Sequence, residues 1–345
     1  MPTERTPVLA ARLFAPGDLR LVEEEPSERD EPGWSRVAVT SVGICGSDLH
    51  WFLEGGIGEV GLTSPVVPGH EFAGVARTGT YAGRRVAVDP AIPCGDCEQC
   101  RAGHGNLCPT VRFAGHGALD GGLRQELSWP DHLLHPLPDS VSDDAGALLE
   151  PLGVAIHAVG VGHVRPGDDV LVVGAGPIGV LAADVARRAG AARVFAGEPI
   201  AHRRDTALQF GADEAWAPGE VAQGVRDRTG GRGVDVVIEM AGTDEAIAIA
   251  VECARPGARV ALGGIPSETD SAFPAAPARR KGLTFAMVRR MHDTYPRALA
   301  LAAAGLDLDA LVTARFPLER AAEAFGAAAD RTGDKTVVEV SRSGD

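Results

Sequence analysis

The 345-residue sequence predicts an α/β protein with two domains, one mostly β and one built on a parallel sheet. After Pro151, short Val-rich runs alternate with helical stretches, which is typical of a parallel sheet covered by helices. Residues 33–150 instead combine glycine, proline and short apolar runs, which indicate an irregular β domain with functional loops. The predicted domains are residues 1–153 with 287–345, and residues 154–286.

The alternating part can be assigned element by element. Buried strands are predicted at Asp169–Gly174, Arg193–Gly197, Val234–Met240 and Arg259–Leu262. Helices are predicted between them at Pro177–Ala189, Arg203–Phe210 and Asp244–Ala254. The tail is predicted to be helical from about Tyr295 and to end in a strand at Thr336–Val340, which packs back on the first domain.

Composition excludes several functional classes. The net charge of −14 argues against nucleic acid as a partner, because phosphate binding needs a basic patch. No apolar run approaches the roughly 20 residues that span a bilayer, so no membrane segment is expected. The first residues, MPTERTPVLA, lack the pattern of a secretory signal. Unpaired Cys45 and Cys253 suit a reducing compartment, so we expect a cytoplasmic protein.

Four of the six cysteines lie within fifteen residues, in the spacing C-x2-C-x2-C-x7-C. Short C-x2-C turns bring thiolates together as tetrahedral zinc requires, and four thiolates leave no open position for chemistry. An iron–sulfur cluster is the main alternative, although its usual run has three residues before the last cysteine. A disulfide or buried-thiol cluster is a weaker alternative. The predicted structural zinc ligands are Cys94, Cys97, Cys100 and Cys108.

A G-x-G-x-x-G motif follows the first predicted strand of the sheet and opens a helix. In that context the glycines let the backbone approach a pyrophosphate, which then lies on the helix N-terminus. A tight turn without a ligand is the alternative. The residues predicted to bind a dinucleotide here are Gly174, Gly176, Pro177, Ile178 and Gly179.

The next strand ends at Glu198, nineteen residues after Gly179. A carboxylate there accepts hydrogen bonds from the adenosine ribose 2′-OH and repels a 2′-phosphate, which favours NAD over NADP. Arg203 and Arg204 leave the choice open, because a guanidinium could neutralise a 2′-phosphate. Arg203 is the predicted cofactor contact, and a solvated helix face is the alternative for both arginines.

Three further donors point to a second metal. Cys45, His70 and Glu71 offer sulfur, nitrogen and oxygen, and a zinc ion with three protein ligands keeps one position for substrate. Read singly, a cysteine is usually a small core residue and a His–Glu pair an ordinary surface feature. Glu150 ends an apolar run, where it could cap a helix or reach the metal.

These segments together resemble the zinc-dependent medium-chain dehydrogenases. GICGSDLH, PGHE, the four-cysteine run and VVGAGPIG occur in the order of that family, over nearly the whole chain. CGSDLHWFLEGGIG and LLEPLGVAIHA are most similar to the polyol branch, such as sorbitol and idonate dehydrogenases, and EPIAHRR is similar to threonine dehydrogenases. The resemblance implies a GroES-like catalytic domain, a Rossmann domain, and a homodimer or homotetramer.

The resemblance also assigns roles to individual residues. Cys45, His70 and Glu71 match the catalytic zinc ligands, and Glu150 matches a carboxylate that either binds this metal or exchanges with water. The four-cysteine run matches the structural zinc lobe, which gives two zinc ions per chain. The segment VARTGTYAGRR is shorter than usual, which should trim only a surface hairpin.

Substrate contacts are expected from Ser47, Phe113, Glu150 and Arg290. Met291 departs from the polyol branch, which tends to place tyrosine there, and Arg289 makes the register of Arg290 uncertain by one residue; either arginine could be merely solvated. The segment Trp51–Gly61, with Phe52 and Glu54, is the expected rim of the substrate pocket.

The implied reaction is reversible, NAD-linked oxidation of a secondary alcohol of a polyol or sugar-like substrate. Ser47 and His50 are placed to relay the released proton to solvent, while Ser47 could instead cap a helix. L-Threonine, a diol or an aminocyclitol are alternative substrates, because each undergoes the same chemistry. A non-catalytic NAD-binding scaffold or sensor is the alternative of another class, although every ligand position is filled.

Overall fold

The computed structural model describes residues 7–26, 32–58 and 60–341. The chain forms two compact units, Met1–Glu150 with Tyr295–Asp345, and Pro151–Thr294. The sequence-based boundaries fall at 153 rather than 150 and at 287 rather than 295. At the second junction, residues after 287 stay with the second unit, where the Met291 sulfur and the Thr294 hydroxyl pack over Gly153.

The strands and helices of both units follow one another closely along the chain. The strands are β1 (Val8–Ala15), β2 (Asp18–Glu24), β3 (Trp34–Gly43), β4 (Gly56–Ile57), β5 (Val60–Gly61), β6 (Glu71–Ala76), β7 (Arg85–Val88), β8 (Ala91–Ile92), β9 (Arg112–Phe113), β10 (Glu126–Pro130), β11 (Leu134–Pro136), β12 (Asp169–Val173), β13 (Arg193–Gly197), β14 (Glu214–Trp216), β15 (Val234–Glu239), β16 (Ala254–Leu262), β17 (Thr284–Met287), β18 (Val312–Pro317) and β19 (Lys335–Glu339). The helices are α1 (Gly46–Glu54), α2 (Glu98–Arg101), α3 (Asp143–Ala147), α4 (Leu149–Gly162), α5 (Pro177–Arg188), α6 (Ala201–Gln209), α7 (Pro218–Thr229), α8 (Asp244–Cys253), α9 (Ala275–Lys281), α10 (Tyr295–Ala303) and α11 (Ala321–Ala329). Among the described residues, none of these helices combines the length and the apolar character needed to cross a membrane.

The first unit is mostly β, and its largest sheet has the strand order β11-β7-β6-β3-β19-β18, with β10 also paired to β3. Burial of Trp51, Phe72, Trp129 and Phe325 behind this sheet supplies much of its apolar core. The pairing of β3 with β6 and β19 places Gly43 opposite both Glu71 and Val337. The sheet therefore brings the start of β6 and the start of β19 to the same end of β3.

The second unit is a parallel sheet with the strand order β14-β13-β12-β15-β16-β17. Its core strands are the predicted ones, because β12 and β15 are Val-rich and both they and β13 are almost fully buried. Sequence reasoning did not assign β14, α7, α9 or β17, whose apolar periodicity is short. At the carboxyl ends of β12 and β13 lie the glycine-rich turn and Glu198, at the edge of the sheet where such folds bind ligands.

Candidate metal centre and dinucleotide site

The first unit brings three predicted donors together. Cys45 directly precedes α1, His70 directly precedes β6 and Glu71 begins β6. The Cys45 sulfur, a His70 ring nitrogen and a Glu71 carboxylate oxygen all lie within 4.8 Å of one another. His70 is 3% exposed and Glu71 is fully buried, so water satisfies neither side chain.

Asp48 fixes the geometry of two of these donors. Its Oδ2 accepts the backbone N–H of Cys45 at 2.9 Å, and its Oδ1 accepts the backbone N–H of Gly69 at 3.3 Å. The same Oδ1 lies 3.2 Å from His70 Nδ1. Because Asp48 faces Nδ1, the other ring nitrogen, Nε2, is left for a metal.

The cap of helix α1 also settles one of the alternatives for Ser47. Cys45 is the N-cap residue and Asp48 accepts its N–H, so Ser47 lies within the first turn and does not cap the helix. The Ser47 hydroxyl oxygen is instead 3.3 Å from His70 Nε2. The hydroxyl therefore lies beside the nitrogen that would face the metal.

Charges around His70 shift both members of its pair with Asp48. Burial would lower the pKa of His70, but the negative charges of Asp48 and Cys45 raise it well above its ordinary value. Burial would likewise raise the pKa of Asp48, but the charge and hydrogen bond of His70 hold it below its usual range. A cation at this position, whether a proton or a metal ion, is strongly favoured by the surrounding anions.

Glu71 and Glu150 add two buried carboxylates to the centre. Both Glu71 oxygens are buried without a hydrogen-bond partner among the described residues, and Oε2 forms an ion pair with Lys335 Nζ. Burial raises the pKa of Glu150 to about 8; the His70 charge opposes this shift and that of Glu71 adds to it. A buried carboxylate oxygen without a donor, beside a thiol and an imidazole, is the donor set that zinc prefers.

Aromatic rings pack against the candidate metal ligands. The ring centroid of Phe113 lies 5.2 Å from that of His70, and the centroid of His116 lies 5.0 Å from both. Trp51 was expected at the rim of the pocket, but it is only 1% exposed and its ring packs 5.6 Å from His116. That expectation is wrong for Trp51, because its position on α1 turns the indole into the core.

The other side chains of the expected rim are also partly engaged. Phe52 packs its ring 5.1 Å from that of Phe325, and residue 59 lies outside the described residues. His50 Nδ1 lies 3.0 Å from Glu54 Oε2, one helical turn away on α1. The Glu54 carboxylate at the expected rim therefore already has a polar partner on its own helix.

Two residues of this centre escaped the sequence reasoning, Lys335 and His116. Lysine is rare in this chain, which holds two lysines and 31 arginines, and that rarity is the signal that could have drawn attention to Lys335. His116 lies between Gly115 and Gly117, which both have positive φ angles. Glycines on both sides of a histidine indicate a tight turn, and this pattern could have identified His116 as a candidate functional residue.

The four-cysteine run folds into a compact lobe around α2. The four sulfur atoms lie within 4.8 Å of one another, and those of Cys94 and Cys100 are 3.9 Å apart. Hydrogen bonds from the N–H groups of Asp96 and Cys97 lower the pKa of Cys94 to about 6. All four cysteines are free of disulfides, so the lobe presents the sulfur set of a closed zinc site.

The glycine-rich turn of the second unit leaves no room for side chains. Gly174 has a φ of +90°, and a Cβ on Gly179 would lie 1.9 Å from the Gly174 carbonyl oxygen. Gly176 caps α5 and Pro177 is its first residue, so the free N–H groups of the helix start are exposed to a ligand. Ile178 continues the same first turn.

Glu198 and the two arginines after it occupy different positions. Both carboxylate oxygens of Glu198 already accept backbone N–H groups, Oε2 from Ala175 at 2.8 Å and Oε1 from Ile200 at 3.0 Å. Arg204 donates to the carbonyl oxygens of Glu198 and Pro199, each at 2.8 Å. The Arg203 guanidinium instead lies beside the turn, 4.0 Å from a Cβ built on Gly176. Arg203 is therefore the arginine placed toward the glycine-rich turn.

The predicted substrate arginine lies in a segment with an unusual backbone. Arg290 is half-buried and has a φ of +54°, which non-glycine residues rarely adopt. Met291, which replaces the tyrosine expected from the resemblance, is 7% exposed and buried against Gly153. The structure thus makes Met291 a packing residue of the second unit.

Comparison with known proteins identifies the family to which this chain belongs. Residues 31–139 match the family model described as the alcohol dehydrogenase GroES-like domain, and residues 177–304 match the zinc-binding dehydrogenase model. The chain is 37% identical over 331 residues to the probable D-xylulose reductase A of Neosartorya fischeri, covering 92% of each chain. It belongs to the zinc-dependent medium-chain dehydrogenase family.

Two further relatives of this dehydrogenase were found. The sorbitol dehydrogenase of Macaca fascicularis is 37% identical over 329 residues, which cover 92% of this chain and 91% of the relative. The solved structure of L-idonate 5-dehydrogenase from Escherichia coli superimposes with a TM-score of 0.89 at 25% identity, over 97% of this chain and 98% of the other. The predicted α/β fold, with a GroES-like domain and a Rossmann domain, is confirmed. The chain is a zinc-dependent, NAD-linked oxidoreductase.

Proposed function

We propose that this dehydrogenase oxidises a secondary alcohol of a polyol or sugar-like substrate to a ketone with NAD. The observation that carries the proposal is the convergence of Cys45, His70 and Glu71 within 4.8 Å, in a chain that also holds a glycine-rich dinucleotide turn. The relatives named for D-xylulose and sorbitol support a polyol as the substrate class.

The same residues define where zinc would bind. Cys45, His70 and Glu71 would hold the catalytic ion, with Glu150 as the carboxylate that joins or leaves it, and the lobe of Cys94, Cys97, Cys100 and Cys108 would hold the structural ion. Zinc supplies Lewis acidity, which lowers the pKa of an alcohol hydroxyl toward neutrality. Phe113 is the proposed apolar wall of the substrate site, and Arg290 the proposed contact to substrate hydroxyls.

Cofactor choice follows from the second unit. The turn at Gly174, Gly176 and Gly179 would hold the pyrophosphate on the N-terminus of α5, where Pro177 and Ile178 form the first turn. Each Glu198 oxygen accepts one backbone N–H and keeps capacity for a ribose hydroxyl. This carboxylate disfavours a 2′-phosphate, so we propose NAD, with Arg203 at the adenosine end.

Oxidation removes a hydride from the carbon and a proton from the hydroxyl, and the proton must leave a buried site. We propose that Ser47 accepts it first, because its hydroxyl lies 3.3 Å from His70 Nε2 and thus next to the reacting group. His50 lies one helical turn further along α1 and is partly exposed, so it passes the proton to solvent.

Replacing His50 with alanine is expected to slow alcohol oxidation about tenfold at pH 6, with recovery toward the wild-type rate at pH 9–10. At high pH, solvent bases can take the proton that His50 would otherwise carry. The measurement is kcat/KM for NAD-linked oxidation from pH 6 to 10. A Glu54→Gln variant, which removes only the partner of His50, serves as the control. Parallel pH profiles for wild type and His50→Ala would remove His50 from the relay.

The substrate class is tested by metal analysis combined with a cofactor and substrate screen. The purified protein is expected to contain about two zinc ions and to form NADH with polyols such as xylitol or sorbitol. Preferential turnover of threonine, a diol or an aminocyclitol would change the assigned substrate and leave the assigned reaction unchanged. Zinc binding without turnover of any alcohol would support a scaffold or sensor and would contradict the proposal.

We also propose that the chain forms a homodimer or homotetramer in the cytoplasm. β17 is an edge strand of the parallel sheet, and its last residue, Met287, is 74% exposed, with exposed Phe273 and Ile265 in the same unit. An open edge with apolar neighbours favours pairing with a second copy. Sedimentation at a mass above the 35.7 kDa of one chain would support an oligomer. The cytoplasm is proposed because six cysteines without disulfides suit a reducing compartment.

A further inference from the structure

Lysine is almost absent from this chain. Two lysines stand against 31 arginines, so arginine is the default cation wherever either residue would serve. Lys281 donates to the carbonyl oxygens of Val251, Glu252 and Ala254 at the end of α8. Lys335 is 3% exposed and lies beside the candidate metal ligands. Lys335 is therefore expected where the compact ammonium of lysine fits and the broader guanidinium of arginine does not.

The ion pair of Lys335 with Glu71 is formed across an intervening strand. Glu71 begins β6 and Lys335 begins β19, and β3 lies between these two strands. A Cβ built on Gly43, at the end of β3, would lie 2.2 Å from Glu71 Oε2 and 2.9 Å from Lys335 Cε. The two side chains meet in the space that Gly43 leaves open.

The ammonium group is fixed at a second point. Lys335 Nζ donates a hydrogen bond to the carbonyl oxygen of Ile44 at 2.8 Å. That carbonyl belongs to the residue between Gly43 and the candidate ligand Cys45. A compact ammonium can donate to Ile44 and form an ion pair with Glu71 at once in this narrow space, whereas the planar guanidinium of arginine is broader.

Lys335 engages one of the two Glu71 oxygens. Oε2 forms the ion pair with Lys335, and both oxygens are buried without a hydrogen-bond partner among the described residues. A buried carboxylate oxygen in this state is strongly stabilised by a cation. Oε1 is therefore the oxygen available to a metal held by Cys45 and His70.

We propose that Lys335 is a positioning residue, which holds Glu71 by Oε2 so that Oε1 alone is offered to the metal, and which keeps Glu71 a weak, exchangeable ligand. This proposal rests on the proposed function in one respect, namely that Cys45, His70 and Glu71 form the catalytic zinc site. Lys335 thereby limits how tightly that site binds zinc.

The direction of the effect follows from the charges. Cys45, Asp48 and Glu71 place three acidic groups in a buried space, and Lys335 is the cation that partly neutralises them. Removing that cation leaves both oxygens of Glu71 to the metal and increases the attraction of the site for a divalent ion. Zinc should therefore bind more tightly in its absence, while the metal-free protein should become less stable.

The experiment compares zinc affinity by chelator competition in wild type and Lys335→Met, which preserves chain length without charge. Zinc at the catalytic site is expected to bind at least about tenfold more tightly in Lys335→Met. Lys335→Gln gives the same comparison with a polar side chain if the methionine variant folds poorly. Lys335→Arg keeps the charge but not the compact ammonium, so it should tighten zinc binding less than Lys335→Met. Lys281→Met is the matched control for loss of a lysine and should leave zinc affinity unchanged.

A double-mutant cycle with Glu71→Gln shows whether Lys335 acts through Glu71. The tightening should be much smaller in the Glu71→Gln background, because no carboxylate remains for Lys335 to hold and only its charge near Cys45 and Asp48 is lost. A Cys45→Ala variant identifies which of the two zinc ions is being measured. The visible absorption of the cobalt-substituted proteins is a second readout, expected to change with Lys335→Met and not with Lys281→Met.

Unchanged or weaker zinc binding in folded Lys335→Met, or equal tightening in both Glu71 backgrounds, would overturn the proposal. These measurements need no substrate, so their outcome is separate from the substrate screen. A wild-type protein that oxidises no alcohol would defeat the proposed function while leaving the comparison of zinc affinities interpretable.

Discussion

Replacement of Cys45 by alanine is expected to reduce NAD-linked alcohol oxidation by more than about a thousandfold. The thiol is one of three donors whose ligand atoms lie within 4.8 Å, and a catalytic zinc site with two protein ligands is not retained. The fold should persist, because Cys45 is only half-buried and the Asp48 carboxylate caps α1 through the backbone N–H at position 45. Steady-state kinetics and zinc content measure the two effects, and about one zinc per chain should remain.

Cys253→Ala is the matched control for this prediction. Cys253 is a buried thiol at the end of α8 in the second unit, where burial raises its pKa to about 12. Its replacement should leave both zinc ions and the rate of alcohol oxidation near wild type. Full activity in Cys45→Ala with two zinc ions bound would place the catalytic metal elsewhere.

Replacement of Cys97 by serine is expected to remove the other zinc ion and to destabilise the four-cysteine lobe. Cys97 caps α2 through its sulfur and is one of four converging thiols, so its loss removes both a ligand and a cap. We expect a loss of about 3 kcal/mol or more in stability, which corresponds to a fall of roughly 6 °C or more in Tm. Calorimetry and limited proteolysis within residues 94–108 are the measurements.

The loss of enzymatic activity should distinguish substitutions in the four-cysteine lobe from substitutions in the catalytic centre. At a temperature where Cys97→Ser is still folded, NAD-linked oxidation should fall far less than in Cys45→Ala, because a closed four-thiolate site takes no part in the chemistry. Iron rather than zinc in the wild-type lobe, or an unchanged Tm in Cys97→Ser, would contradict the structural zinc assignment.

The donors of both metal sites are residues whose type and spacing are visible along the chain. C-x2-C turns constrain the sulfurs of Cys94, Cys97 and Cys100 locally, and the resemblance supplied Cys45, His70 and Glu71. The glycine-rich turn was equally readable, because Gly174 and Gly179 approach each other too closely for any side chain. For the C-x2-C turns and the glycine-rich turn, the constraint acts within a few residues.

Other features of the site depend on contacts between distant segments. Lys335 meets Glu71 across β3, and nothing near residue 335 in sequence signals a metal centre. Trp51 was expected at a rim but is buried, since the direction of a side chain on α1 is set by what the helix packs against. Arg203 and Arg204 are adjacent and chemically identical, yet Arg204 donates to backbone carbonyls while Arg203 lies beside the glycine-rich turn.

The sequence by itself determined the α/β class, the two-domain order, the four-thiolate lobe and the dinucleotide turn, because periodicity, turn chemistry and ligand spacing are local properties. Only the tertiary structure decided which oxygen of Glu71 is engaged, that Ser47 lies beside His70 Nε2, and that a lysine completes the buried charge cluster. These are decided by tertiary packing, which brings residues from 23 positions apart (Ser47 and His70) to 264 positions apart (Glu71 and Lys335) into contact. Burial then gives such contacts their strength.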